Sequence, residues 1–343
     1  MSLSTWLVTG GAGFIGSNFV RLALTEKWCD RVVVFDALTY AGNLENLLPF
    51  VTDDPRLSFV KGDIAEAADV SAAFTAHKPT EVFHFAAESH VDRSIYDPAT
   101  FVRTNVLGTQ LLLTAAREAG VQRFVHVSTD EVYGALPLHS TDRFHEKRPY
   151  DPHSPYAASK AGSDLLVKAA FSTYGQDVVI TNCSNNYGPY QFPEKLIPLM
   201  ISNAFRGESL PVYGDGLYVR DWIHVEDHCR AVRAVGQGGR SGQTYCIGSD
   251  NEQPNIAVVK KILELTGRDE SLIRYVKDRP GHDRRYAIDS AKIREELGWR
   301  PAIDWADGLR STVDWYRSNT EWIERVRTGQ FREFYDKHYK QTT

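Results

Sequence analysis

A short apolar run, Trp6-Leu7-Val8-Thr9, leads into Thr9-Gly10-Gly11-Ala12-Gly13-Phe14-Ile15-Gly16, and residues Phe14 to Thr25 carry helical spacing. A strand, a glycine turn and a helix in direct succession leave few folds open. Glycine allows the tight turn and lets the main chain approach a pyrophosphate. The helix that follows offers unpaired N–H groups and a partial positive charge at its start. The next β-branched run, Arg31-Val32-Val33-Val34-Phe35-Asp36, ends on a carboxylate 20 residues past Gly16. A carboxylate there accepts hydrogen bonds from ribose hydroxyls and repels a 2′-phosphate. No Lys or Arg occurs in 37–50, so the pattern favours NAD over NADP. A glycine turn with a capping acid and no ligand is the plain alternative, and the surrounding strand and helix argue against it.

The theme repeats. Strand-like runs at 57–60, 81–86, 123–128 and 177–181 alternate with helix-like stretches near 65–76, 98–119 and 155–174. Alternation of this kind predicts an α/β fold, a Rossmann-type doubly wound parallel sheet. The runs are apolar on both faces, as a sheet covered on both sides requires. After about residue 182 the texture changes. Asn, Pro, Gly and Tyr crowd through 182–216, which reads as loop, and helical spacing returns near 222–235, 255–267 and 290–298. The expected organisation is an NAD-binding domain over 1–180, with segments near 218–248 returning to it. A smaller, mostly helical substrate domain then covers most of 181–343.

Composition closes several other routes. Net charge is −5 with no long basic run, which gives nucleic-acid binding no support. No stretch of 18 apolar residues exists, so no membrane span is expected. The start of the chain has no basic n-region, so no secretory signal is expected. Cys29, Cys183, Cys229 and Cys246 form no C-x-x-C pair and no metal-like spacing. They read as reduced thiols of a cytoplasmic protein, with no metal site. The cysteines and tryptophans are assigned to the core.

Two segments carry the chemistry. Tyr156-Ala157-Ala158-Ser159-Lys160 is a Y-x-x-x-K, and on a helix its Tyr and Lys share a face. An ammonium beside a phenol favours phenolate, as does a positively charged nicotinamide, and a phenol so tuned can take an alcohol proton during hydride transfer. A surface helix pair is the bland reading of the same spacing. Ser128-Thr129-Asp130-Glu131-Val132-Tyr133-Gly134 follows the fifth strand, at the carboxyl end where such sheets place their sites. Adjacent acids at a strand end diverge, so Asp130 and Glu131 can address different atoms of one sugar. Elimination needs such a pair: a base for a proton on carbon and an acid for a leaving hydroxyl. A solvated acidic turn is the alternative.

The glycine motif, the Y-x-x-x-K and the substrate-like C-terminal part resemble the extended short-chain dehydrogenases/reductases, which act largely on nucleotide sugars. The likeness spans nearly the whole chain. The Thr129-Asp130-Glu131 segment is similar to that of the family's 4,6-dehydratases, whereas the family's epimerases need only a hydroxyl residue, Tyr and Lys. Phe85 to Ser94, Asn185 to Pro189, Pro193 to Pro198, Pro211 to Gly214, Arg220 to Trp222 and Asp278 to Tyr286 add further matches. The loop from Ala135 to Asp151 is shorter than in many bacterial members.

The resemblance implies Thr129, Asp130, Glu131, Tyr156 and Lys160 as catalytic residues. It implies an NAD site of Gly10, Gly13, Phe14, Ile15, Gly16, Asp36, Leu38, Thr39, Asp63, Ile64, Phe85, Ala86, Ala87, Ser89, Thr104 and Asn186, together with Tyr156 and Lys160. It implies a nucleotide-sugar site of Ser89, Thr129, Asn185, Lys195, Leu196, Pro211, Tyr213, Arg220, Asn255, Arg279 and His282. Lys195, Arg220 and Arg279 would neutralise the diphosphate, and Tyr213 would stack on the base. A homodimer packed through the helices near 98–119 and 155–174 is the family expectation. Thymidine is favoured over uridine, and plant-type UDP-glucose dehydratases share Thr-Asp-Glu, so the base stays open. An epimerase or decarboxylase would leave the acidic pair without a task. A silent NAD-binding protein would have no use for Tyr156 and Lys160.

Overall fold

The structure is a computed structural model that describes residues 3–278 and 280–328. In chain order the strands are β1 (Thr5–Thr9), β2 (Arg31–Asp36), β3 (Leu57–Lys61), β4 (Glu81–His84), β5 (Arg123–Thr129), β6 (Val178–Cys183), β7 (Asn185–Tyr187), β8 (Leu210–Tyr213), β9 (Val219–His224), β10 (Thr244–Ile247), β11 (Glu252–Pro254) and β12 (Ile273–Val276). Seven of them form one parallel sheet in the order β10-β6-β5-β4-β1-β2-β3. The β-branched runs end up buried on both faces because helices cover both sides. On one face Trp6 sits 4.5 Å from Phe83, and Phe19 lies 5.6 Å from Trp28, ring centre to ring centre. On the other, Leu7, Val33, Phe35, Leu112 and Val167 close the layer.

The chain enters at β1, works outward through β2 and β3, and returns to β4 on the other side of β1. That reversal opens a crevice at the carboxyl ends of β1 and β4, the place where doubly wound sheets hold ligands. Register keeps those ends level: Thr9 pairs with Phe35 and His84, and His84 with His126.

The 182–216 segment is not the loop its composition suggests. It contains β7, a helix over Leu196–Arg206 and β8. The helix is apolar and almost wholly buried, and it ends on Gly207 in the left-handed conformation. The surrounding Asn, Pro and Gly belong to short connections. Likewise the stretch read as helix near 222–235 begins as strand β9, and its helix runs over Val225–Gly238. That helix joins the core under the main sheet through Val225, Cys229, Val232 and Val235. A second core gathers the helices Leu196–Arg206, Asn255–Thr266, Trp305–Ser318 and Thr320–Arg327 around Ile201, Val259, Leu309 and Tyr316. Small sheets β11-β9-β7 and β12-β8 frame its edge over the crevice. Among the described residues no helix is long and apolar enough to cross a membrane.

Candidate active site

A cavity of about 460 Å³ lies along the carboxyl ends of β1, β2, β4 and β5. Gly10, Gly13, Phe14, Ile15, Gly16, Asp36, Thr39, Asp63, Ile64, Phe85, Ala86, Ala87, Ser89, Thr104 and Asn186 all line it, and so do Tyr156 and Lys160. Gly10 has φ +68°, and a Cβ there would stand 2.6 Å from Ala86 N, so the turn admits no side chain. Gly13 precedes the Phe14–Thr25 helix and gives it no side-chain cap, which leaves the first N–H groups for an anion. The Asp36 carboxylate accepts from Ala12 N at 2.9 Å and from Leu38 N at 2.8 Å. It therefore braces the glycine turn while facing the cavity.

One residue of the expected NAD set lies outside the lining. Leu38 is not part of the lining; it holds φ +53° and gives its N–H to Asp36. β3 ends at Lys61, so Asp63 stands in the loop beyond it, paired with Arg103 at 2.8 Å.

β5 delivers Thr129 to the cavity, and a tight turn over Asp130–Tyr133 follows. The Thr129 hydroxyl accepts from Glu131 N at 3.3 Å and leans toward Asp130 Oδ1 at 3.4 Å. It also acts to lower the pKa of the Tyr156 phenol. Ser154 caps the Pro155–Tyr174 helix, with Pro155 in its first turn, and so aims Tyr156 and Lys160 at the sheet ends. Lys160 Nζ donates to Val127 O at 2.8 Å, one more tie between helix and β5.

Burial governs the charges. It holds the Tyr156 phenol well above its usual range, with the Glu131 carboxylate adding to the effect. It pushes the Lys160 ammonium down, opposed by the Asp164 carboxylate. The Asp130 carboxyl is raised well above the carboxylate range by burial and by neighbouring Glu131, which favours its protonated form. Asp130 is not part of the lining of either cavity; it is packed behind Glu131, which lines both.

A second cavity of about 170 Å³ opens from the first. Glu131, Asn185, Glu194, Lys195, Leu196 and Trp222 line both. Pro211, Tyr213, Arg220, Asn255 and His282 complete the sequence-expected set around the second. The Arg220 guanidinium is buried, donates to Val219 O and Asp283 O, and lies 4.1 Å from the Tyr286 ring. Tyr213 donates to Asp92 at 3.1 Å, and His282 bonds Asp278 and stacks at 3.7 Å on Tyr218. Lys195 donates to Ser89 O at 2.9 Å, tying the two walls together. Arg279 lies outside the described residues.

Several lining residues carry no sequence-level assignment. Cys183 and Trp222 are buried, as assigned, yet their edges face the cavities. Glu194 sits inside the quoted Pro193–Pro198 stretch, but only tertiary packing brings it to His90 and Arg93. In the sequence Glu194 stands between Pro193 and Lys195, which gives no sign of its burial.

A dinucleotide-sized cavity joined at Glu131 to a sugar-sized one, beside Tyr156 and Lys160, defines a nucleotide-sugar enzyme of the Rossmann type. Residues 7–312 match the family model described as GDP-mannose 4,6 dehydratase, and the chain belongs to that family of extended short-chain dehydrogenases/reductases. Among curated relatives, the dTDP-glucose 4,6-dehydratase of Xanthomonas campestris pv. campestris is 53% identical, over 96% of this chain and 98% of that one. That of Escherichia coli K12 is 50% identical over 97% and 98%. The crystal structure of the Streptomyces venezuelae dTDP-glucose 4,6-dehydratase, which holds NAD, superposes with a TM-score of 0.90 at 53% identity, covering 94% of this chain and 99% of that one. A Thermus thermophilus UDP-glucose 4-epimerase with NAD shares the fold at TM-score 0.85 and 31% identity, over 92% and 99%. Fold alone therefore does not separate dehydration from epimerisation, and the residues must.

Proposed function

We propose that the chain is an NAD-dependent hydro-lyase that converts dTDP-glucose to dTDP-4-keto-6-deoxyglucose. The observation that carries this reading is the Thr129-Asp130-Glu131 turn beside Tyr156, where the two cavities meet. The glycine turn that a Cβ would fill, the uncapped helix start and Asp36 suit a dinucleotide. Bound NAD supplies a reversible acceptor for the sugar's C4 hydride, which is later delivered to C6.

The chain's own groups then handle protons. Tyr156, held by Thr129 and assisted by Lys160, takes the proton from O4. The positive nicotinamide and the Lys160 ammonium offset the burial that otherwise keeps the phenol protonated. Once C4 is a ketone, the C5 hydrogen is acidic, and Glu131 removes it and later returns it. Asp130, favoured in its neutral form, protonates the departing 6-hydroxyl. One proton leaves O4 and one departs with water, so the protein ends each cycle with its proton count unchanged. Asp130 reaches O6 only if its carboxyl turns past Glu131 when substrate fills the smaller cavity. Arg220, Lys195 and Asn255 suit the diphosphate and nucleoside, and Tyr213 the base.

The active form is proposed to be a homodimer in the cytoplasm. Val102, Leu107, Leu165 and Tyr174 are exposed apolar residues on the two helical stretches expected at the interface. Three of the four free cysteines are buried.

The test is incubation of purified protein with dTDP-glucose and no added reductant, following the 4-keto product by its absorbance in alkali and the loss of one water by mass. Turnover of UDP-glucose alone would retain the chemistry and change the base. An epimerised sugar of unchanged mass would sink the roles given to Asp130 and Glu131.

A further inference from the structure

Tyr156, Lys160, Asp164 and Lys168 recur every fourth residue on the Pro155–Tyr174 helix and so share one face. The third has no task in the reaction above. Its carboxyl is wholly buried, a costly place for a charge unless partners compensate. The partners are numerous. Asp164 Oδ2 accepts from Tyr150 Oη at 2.9 Å and from Asn182 Nδ2 at 3.1 Å, and His126 Nε2 stands 3.1 Å from Oδ1. Asn182 Nδ2 donates in turn to Thr129 O at 3.1 Å, and its Oδ1 accepts from Tyr133. On the other side Lys160 holds Val127 O, two residues earlier on the same strand. The carboxylate therefore sits behind β5, tied through Asn182 to the Thr129 main chain and one helical turn from Lys160.

We propose that Asp164 is a positioning residue for proton transfer at Tyr156: its carboxylate balances the buried Lys160 ammonium and, through Asn182, fixes the Thr129 end of β5. The charges around it fit. Its own helix presents Lys160 and Lys168, the latter reaching Tyr150 at 3.4 Å. β5 presents His126, β6 Asn182, the turn after β5 Tyr133, and the loop before the helix Tyr150. His126 is kept neutral by burial and by Lys160, so Asp164 supplies the negative charge beside the ammonium. Burial alone would raise the Asp164 carboxyl, yet the hydrogen bond to His126 and the Lys160 charge leave it below its usual range, so it stays ionised. Replacing it with a neutral group would make Lys160 easier to deprotonate, and a neutral Lys160 no longer favours the phenolate.

This rests on Tyr156 being the base, so the experiment first compares the full-length NAD-loaded protein with its Tyr156→Phe variant on dTDP-glucose. Full activity in Tyr156→Phe would overturn that reading, and with it this one. Given a dead Tyr156→Phe, the test is Asp164→Asn, which keeps the shape and removes the charge. The expected result is kcat down by about tenfold or more, KM for dTDP-glucose within about twofold, and a pH–rate profile whose alkaline limb moves down by about one unit. The alkaline limb moves down with Lys160, whereas the acid limb does not move up, since the lost carboxylate opposed ionisation of the phenol. Asp164→Glu restores part of the width. A profile superimposable on the wild type, with activity lost only in step with the folded fraction, overturns the proposal. Where Asp164→Asn does not fold, Lys160→Met/Asp164→Asn is compared with it. Folding of the double variant, which no longer buries an unbalanced ammonium, supports the pairing, and failure of both assigns the carboxyl to packing alone.

Discussion

At the scale of single residues, Asp130 and Glu131 separate this site from that of a plain epimerase. They are neighbours in sequence and differ in surroundings. Glu131 is half-buried and faces both cavities, whereas Asp130 is enclosed and pushed toward its neutral form. A base and an acid of one chemical type are thereby set apart by environment. Asp130→Asn and Glu131→Gln should each lower turnover of dTDP-glucose by about 10²–10⁴-fold, while C4 oxidation continues. Reduced cofactor should then accumulate on the protein, visible as absorbance or fluorescence of the dihydronicotinamide under single turnover. Loss of that signal together with turnover would mean that the carboxyls serve the first step instead. The Y-x-x-x-K spacing and the Thr-Asp-Glu triplet were legible in the sequence because each is local. The enclosure of Asp130 was not, since it depends on packing from β6, β9 and β10, distant in the chain.

At the scale of elements, the Pro155–Tyr174 helix carries different duties along its length. Its inward side delivers Tyr156 and Lys160 in the first turns and packs Val167 and Ala170 against the sheet further on, while Leu165 stands on the opposite side in solvent and Phe171 and Tyr174 are exposed in the last turn. The neighbouring segment adds Val102 and Leu107 from a π-helical turn over Val102–Gly108, which also points Asn105 at Ser159, 2.8 Å away. Leu165→Asp is expected to halve the molar mass measured by light scattering at micromolar protein while leaving the circular dichroism spectrum unchanged. An unchanged mass would remove these helices from the interface. Helix periodicity was readable from the sequence, and so was the approximate extent of both helices. The π turn was not, because one extra residue per turn leaves no mark on an apolar pattern. The Leu196–Arg206 helix was missed for another reason: the Pro, Asn and Gly in and around it dominate the composition of the stretch.

At the scale of the whole molecule, the crevice is closed by contacts between segments far apart in the chain. Glu194, from the second core, reaches His90 at 3.7 Å and Arg93 at 3.9 Å, and Arg93 covers the Tyr40 ring at 3.7 Å. Burial raises the Glu194 carboxyl to about 7, against the pull of Lys195 and Arg93. The folded, ligand-free chain thus keeps a proton that the unfolded chain releases near its ordinary value of 4.5. The resulting stability is complete below pH 4.5 and lost as pH rises through about 7. Glu194→Gln should therefore gain on the wild type by about 3 kcal/mol between those limits, read as the difference in unfolding free energy at each pH. A constant difference across the window would show that the carboxyl is not the group that titrates there.

The sequence by itself determined the layered α/β architecture, the dinucleotide turn, Asp36 and the reacting triplet, since strand, turn and helix signals and short motifs act over a few residues. It also carried, through resemblance, most of the residues that face the two cavities. Only the tertiary structure decided which carboxyl is enclosed and which is open, that Asp164 and Glu194 are buried carboxyls beside the site, and that Leu38 turns its N–H to Asp36. Those properties arise from desolvation and from contacts between distant segments, and neither leaves a periodic or compositional trace along the chain.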